Sequence, residues 1–134
     1  MIYMLDTNIC SYIIRNHPDY IKYKLKEIQK ENIVGLSSIV VSELLYGAYK
    51  KSSKKLIDVV EFFIDSFEIY EYGIEAAREY AKLRAIVEKK RNIIGAYDMT
   101  IAAHAISLNA ILVTNNEKEF KRIENLKLEN WLIE

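Results

Sequence analysis

Four carboxylates stand where the chain changes character: Asp6 directly after the apolar run Met1 to Leu5, Glu43 in Ser42-Glu43-Leu44, Asp98 after Tyr97, and Glu119 before Phe120. Two carboxylates about 4 Å apart repel by about 4 kcal/mol at an effective dielectric near 20, so three or four in one pocket need a compensating cation. Oxygen-only ligands suit Mg²⁺ or Mn²⁺, which keep several waters and take a substrate phosphate as a further ligand. Such a site activates water and stabilises the charge that builds on a phosphate and its leaving oxygen. Taken singly, each acid reads as a helix cap or a solvated side chain. Only convergence would give them this chemistry, and convergence depends on the elements between them.

Those elements alternate. Met1 to Leu5 is an apolar run of strand length ending at Asp6, as in a buried parallel strand. Asp6, Thr7 and Asn8 offer caps for a helix through Ile9, Tyr12 and Ile13, and Pro18 can begin a second helix running to about Lys30. Ile33 to Leu36 reads as a strand, with Ser37 and Ser38 capping a helix from Ile39 to about Lys50 and another following from about Lys54 to Asp65. Phe67 to Tyr72 alternates like a strand, and Ile74 to about Lys90 carries a helical core face. After Gly95, Asp98 begins a helix through Leu108, which Asn109 stops. Ile111 to Val113 is a strand leading into Thr114-Asn115-Asn116, and a short helix and a strand near Leu128 close the chain. The pattern predicts an α/β sandwich with a mostly parallel sheet of four to five strands, in which ligand groups gather at the strands' carboxyl ends.

At 134 residues, with no internal repeat, low-complexity stretch or linker, the chain is expected to form one domain over residues 1–134. With 51% hydrophobic and 28% charged residues, disorder is not indicated. No apolar run approaches the roughly 20 residues that span a bilayer, and the amino terminus lacks the basic flank of a signal peptide. These features predict a cytoplasmic protein without membrane contact. Cys10, the single cysteine, is expected to pack rather than react. The 19 basic residues balance the 19 acidic ones, so any contact with nucleic acid must come from local patches. Such patches lie at Lys50, Lys51, Lys54 and Lys55, at Lys89, Lys90 and Arg91, and at Lys118, Lys121 and Arg122.

The order Met4-Leu5-Asp6-Thr7-Asn8, Ser42-Glu43-Leu44 with Gly47, Tyr97-Asp98, then Val113-Thr114-Asn115-Asn116 with Glu119-Phe120, closed by Leu128-Glu129-Asn130-Trp131, resembles the PIN-domain family, and within it the VapC toxins. The resemblance covers essentially the whole chain. It implies a PIN-like α/β/α sandwich and a Mg²⁺-dependent endoribonuclease, with Mn²⁺ as a substitute. The nuclease would be the toxin of a toxin–antitoxin pair that cleaves structured RNA, transfer RNA above all, to inhibit translation, and its partner would be a small VapB-type antitoxin. By the same resemblance Asp6, Glu43 and Asp98 look like the metal-binding acids and Glu119 like an additional acid at the edge. Thr114 looks like a hydroxyl supporting the cluster, and Asn8 like a residue that orients Asp6. Asn116 stands where many relatives carry a fourth aspartate, which weakens a second metal site or shifts it onto Glu119.

Two other functions compete. Phosphotransfer through an aspartyl-phosphate on Asp6 lacks the second acid of Asp-x-Asp, since Asn8 stands there. A catalytically weak RNA- or protein-binding module would have no need to keep all three acids. His17 and His104 lack ligand partners and read as surface or partly buried histidines. Gly47 inside a helix costs about 1 kcal/mol relative to alanine, which predicts close packing against another backbone. In the helix near Lys54 to Asp65 and its exit, Leu56, Ile57, Val59, Val60, Phe62, Phe63, Ile64 and Phe67 cover an arc of roughly 220°, against about 100° for a core-facing stripe. Either the helix is deeply buried and walled in on two sides by the chain itself, or, as is expected here, part of that arc meets a second copy, in a homodimer, or the antitoxin, in a hetero-oligomer.

Overall fold

The computed structural model describes residues 1–132, so the last two positions of the expected 1–134 span lie outside the described residues. Among the described residues, five strands form one sheet: β1 (Ile2–Leu5), β2 (Ile33–Ser37), β3 (Glu68–Tyr70), β4 (Ile111–Val113) and β5 (Lys127–Glu129). Their order is β3-β2-β1-β4-β5, and every neighbouring pair is parallel. Among the same residues, seven helices link them: α1 (Thr7–Arg15), α2 (Tyr20–Gln29), α3 (Ser38–Lys50), α4 (Lys54–Asp65), α5 (Ile74–Lys89), α6 (Ala96–Ser107) and α7 (Glu117–Phe120). None among the described residues is long and apolar enough to cross a membrane. The chain builds outward from β1 to β3 and then returns to lay β4 on the other side of β1. The β1/β4 junction is therefore the switch point of the sheet, where adjacent connections leave in opposite directions and a crevice opens at the carboxyl ends.

Residue type explains the layers. Met4, Leu5, Leu36, Leu112 and Val113 are fully buried strand residues, covered by Ile9 and Ile13 of α1, Val40 of α3, and Ile101, Ala102 and Ala105 of α6. The small residues of α6 let it lie deep in the core and carry Asp98 in with it. Gly35 in β2 is required by close approach: a Cβ there would stand 2.6 Å from the Tyr70 ring and 2.8 Å from the Glu68 carbonyl of β3.

Several boundaries differ from the sequence pattern. α2 starts at Tyr20 rather than Pro18, β3 is shorter than Phe67 to Tyr72, and α6 starts at Ala96 with Gly95 as its N-cap, so Asp98 lies in its first turn. Gly47 does not pack against another backbone: it is exposed, and nothing lies within 4 Å of where its Cβ would be. The sequence shows the helical cost of a glycine but not the space beside it. The wide apolar arc of α4 is divided. Val60 and Ile64 are buried and Leu56, Ile57 and Phe63 pack against the core, whereas Phe62 is 77% exposed and Val59 41% exposed.

Candidate active site

Asp6 follows β1 at the switch point and serves as the N-cap of α1: Oδ1 accepts from the Ile9 N–H at 3.0 Å. Its Oδ2 accepts from the Thr114 hydroxyl, which follows β4. The β1–β4 register brings these two together, since Leu5 pairs with Val113 and the Asp6 N–H bonds the Val113 carbonyl at 3.0 Å. Asp6 is 7% exposed, and burial raises its pKa although Thr114, Ile9 and the Asn8 backbone N–H all favour the charged form. Asn8 thus reaches Asp6 through its backbone N–H rather than through its side chain, which is exposed.

Glu43 is carried in by α3, whose start is fixed by Ser37: its hydroxyl accepts from the Ile39 N–H at 3.1 Å. Asp6, Glu43 and Asp98 line one cleft of about 320 Å³, together with Thr7, Asn8, Tyr97, Ile101, Asn116 and Phe120. The cleft continues past Thr7, Asn8 and Glu43 into a groove of about 400 Å³ between α1, α3 and α4, where Arg15 and Lys51 stand among its walls and Gly47 leaves room. Nothing in the sequence singles out Tyr97 beyond its place beside Asp98. Its hydroxyl meets that of Thr7, and burial pushes its pKa up to about 12, so it remains a neutral phenol at the cleft wall.

Glu119 stands at the edge. Its Oε1 accepts from the Gly95 N–H at 2.8 Å, at the start of the helix that carries Asp98, and this bond leads the causes that lower its pKa. Asn116 spans the two acids: its Nδ2 lies 3.4 Å from Asp98 Oδ2 and 3.3 Å from Glu119 Oε2. Asp98 moves the other way, up to about 6, through burial first and then the negative charges of Glu119 and Asp6. A proton therefore rests on Asp98 more readily than on Glu119.

The donors fit a hard divalent cation in kind: oxygen atoms alone, with a buried and a half-buried acid whose pKa values are raised by burial first and, for Asp98, by the neighbouring negative charges as well. Among the described residues, no three acids, histidines or cysteines stand close enough to encircle an ion as they lie. The acids share a cleft rather than a closed coordination shell. His104, expected at the surface or partly buried, is 1% exposed and bonds Ser37, a contact between residues far apart in sequence.

The PIN domain family model matches residues 3–126. The chain is 48% identical to Ribonuclease VapC2 of Rickettsia felis over 98% of both chains. It is 38% identical to the tRNA(fMet)-specific endonuclease VapC of Salmonella typhimurium, over 96% of this chain and 97% of that one. The solved structure of VapBC2 from Rickettsia felis bound to a DNA fragment from its promoter superposes with a TM-score of 0.91, covering 98% of this chain and 99% of that one. A second, of DNA-bound VapBC from Salmonella typhimurium, gives 0.89 at 37% identity and 98% coverage of both. Parallel sheet, switch-point acids and whole-length similarity agree, and the chain belongs to the PIN-domain family, in its VapC group.

Proposed function

We propose that this chain is a Mg²⁺-dependent endoribonuclease, with Mn²⁺ able to substitute, that acts in the cytoplasm as the toxin of a toxin–antitoxin pair. Its substrate class is structured RNA, with transfer RNA foremost, and its partner is a VapB-type antitoxin. The whole of residues 1–134 acts as one nuclease domain. The observation that carries this reading is the meeting of Asp6, Glu43 and Asp98 in one cleft at the sheet's switch point. The names of the relatives, ribonuclease and tRNA(fMet)-specific endonuclease, and their solution as VapBC complexes support the activity and the partner.

Asp6, Glu43 and Asp98 would hold the ion, with Glu119 at the edge. When bound, a divalent cation offsets the repulsion among these acids and supplies Lewis acidity for attack of water on the phosphodiester. Thr114 and the Ile9 N–H fix both oxygens of Asp6, which orients it as a ligand and leaves it poorly placed to act as a nucleophile. Asn116 keeps Asp98 and Glu119 facing one another, and Tyr97 with Phe120 and Ile101 limits water on the inner side. Arg15 and Lys51, beside the adjoining groove, offer positive charge to an RNA backbone entering the cleft.

The deciding experiment incubates the purified chain, freed of partner, with total RNA at varied Mg²⁺ and Mn²⁺ and maps the new ends. Discrete cuts in transfer RNA that disappear in chelator and return with either metal are expected. Chelator-resistant cleavage, or no cleavage at any metal concentration, would overturn the reading.

A further inference from the structure

The helices that deliver Glu43 and Asp98 have different principal neighbours: α3 packs chiefly with α4, and α6 with α5. One buried polar bond joins the residue that caps α3 to α6. His104, in the same helix as Asp98, places Nδ1 2.8 Å from the Ser37 hydroxyl, and Ser37 begins the helix that carries Glu43. Ser37 is 0% exposed and His104 1% exposed, so no water competes for this bond.

The Ser37 hydroxyl serves two contacts at once: it shares a hydrogen with Nδ1 of His104, and its oxygen accepts from the Ile39 N–H at 3.1 Å, so one side chain joins the ring to the cap of α3. The ring is held further by the Tyr72 ring, edge-on at 5.4 Å, while the Tyr72 N–H bonds Ser38 Oγ at 3.1 Å.

We infer that His104 is a positioning residue for catalysis: through Ser37 it sets the placement of Glu43 relative to Asp98, and so the fit of the acid cluster to its cation. This inference rests on the nuclease reading above. His104 touches none of the acids and takes no part in proton transfer to substrate. Its action resembles that of outer partners of metal ligands, whose loss typically weakens metal affinity or activity by about 10- to 100-fold.

Two replacements of one side chain separate positioning from packing. Asn at 104 puts its amide near the place of Nδ1, whereas Gln puts its amide near the other ring nitrogen and leaves the Ser37 hydroxyl without its partner. Mn²⁺ affinity by calorimetry, kcat and KM on transfer RNA, and the melting temperature of the metal-free chain would be measured for H104Q, H104N and wild type. The expected result is a loss of about 10- to 100-fold in Mn²⁺ affinity and in kcat for H104Q, with KM little changed. H104N should recover most of both, at a melting temperature similar to that of H104Q.

Equal losses in the two variants, or wild-type values in H104Q, would overturn the inference. Should H104Q fail to fold, S37A deletes the hydroxyl from the other side and must show the same loss of Mn²⁺ affinity; a normal affinity in folded S37A overturns the inference as well. A wild-type chain that neither binds Mn²⁺ nor cleaves RNA would overturn the nuclease reading itself, whereas competent wild type with indifferent variants overturns this inference alone.

Discussion

Thr114 gives its hydroxyl hydrogen to Asp6 Oδ2 across the junction of β1 and β4, joining the end of the first strand to the end of the fourth. Thr114 is itself fully buried and also accepts from the Asn116 N–H at 3.0 Å, so one hydroxyl fixes the acid and the turn that presents Asn116. Thr114→Val keeps the shape and leaves an Asp6 oxygen buried without its donor, at a cost of about 1–3 kcal/mol. Cleavage should fall by about 10- to 100-fold, and Thr114→Ser should restore most of it. Equal rates for Val and Ser in a primer-extension cleavage assay would mean that the hydroxyl does not act on Asp6.

Asp6 has one observed role and one proposed role, which a single substitution separates. As the cap of α1 it needs an oxygen acceptor, which asparagine supplies as well as aspartate does. In the proposed role of metal-binding acid it would need charge, which asparagine lacks. Asp6→Asn is expected to keep the melting temperature within a few degrees and to lower kcat by at least about a thousandfold, or about 4 kcal/mol. Asp6→Ala should lose about 1 kcal/mol of stability as well, through the missing cap. Full activity in folded Asp6→Asn would remove Asp6 from the site.

What the sequence made legible follows short-range rules. The run Met4-Leu5-Asp6 announces a buried strand with an acid at its end, and Ser37 announces a helix start; both can be read from a few consecutive residues. Longer-range matters were not legible. A lone histidine shows nothing of Ser37, a partner that only the fold brings near His104. Periodicity identifies Phe62 and Ile64 as apolar alike, yet cannot show that the core covers one and leaves the other in water. Strand ends alone point to the cleft, while Tyr97 at its wall carries no local signal because its partner hydroxyl, Thr7, comes from another element.

Asp98 gives the metal-free chain a pH dependence of defined sign. Its folded pKa of about 6 lies above the ordinary value of 3.8, so the folded chain holds a proton that the unfolded chain has released. Stability therefore falls as pH rises from about 4 to about 6, by about 1 kcal/mol once water screening of this half-exposed group is included. Asp98→Asn should flatten that slope in urea titrations of the metal-free chain. Metal binding runs oppositely, because the ion competes with the proton: Mn²⁺ affinity should weaken as pH falls below about 6. An unchanged slope in Asp98→Asn would place the titration elsewhere.

Asn116 stands where the charge of the side chain should bear on metal binding. Its Nδ2 approaches both Asp98 and Glu119, which a third carboxylate could not do without repulsion. Asn116→Asp should lower the stability of the metal-free chain at neutral pH by about 1–2 kcal/mol and tighten Mn²⁺ binding, since the ion gains a charged oxygen. Calorimetry that finds the same stoichiometry and affinity in both forms would put Asn116 outside the reach of the ion.

The outer face of α4 is where the antitoxin is expected to dock, and its division into covered and open residues dictates the test. Ile64 is buried, so replacing it with lysine would strand a charge in the core and unfold the chain whatever the partner does. Phe62 and Val59 are exposed and lie beside Lys54, Lys55 and Asp58 on a surface with a 590 Å³ hollow, which offers an aromatic anchor with a charged rim. Related chains were solved as VapBC complexes, which makes a protein partner the natural cover for such a patch. V59K/F62K should keep the wild-type melting temperature to within about 0.5 kcal/mol of stability, as surface changes do. Co-expressed with the antitoxin from the adjacent reading frame, the double variant should lose it during purification, while cleavage by the isolated chain stays at the wild-type rate. If the antitoxin is retained and light scattering finds that a wild-type dimer has become a monomer, a second copy covers this face instead. Retention of both the antitoxin and the wild-type mass would move the interface off α4.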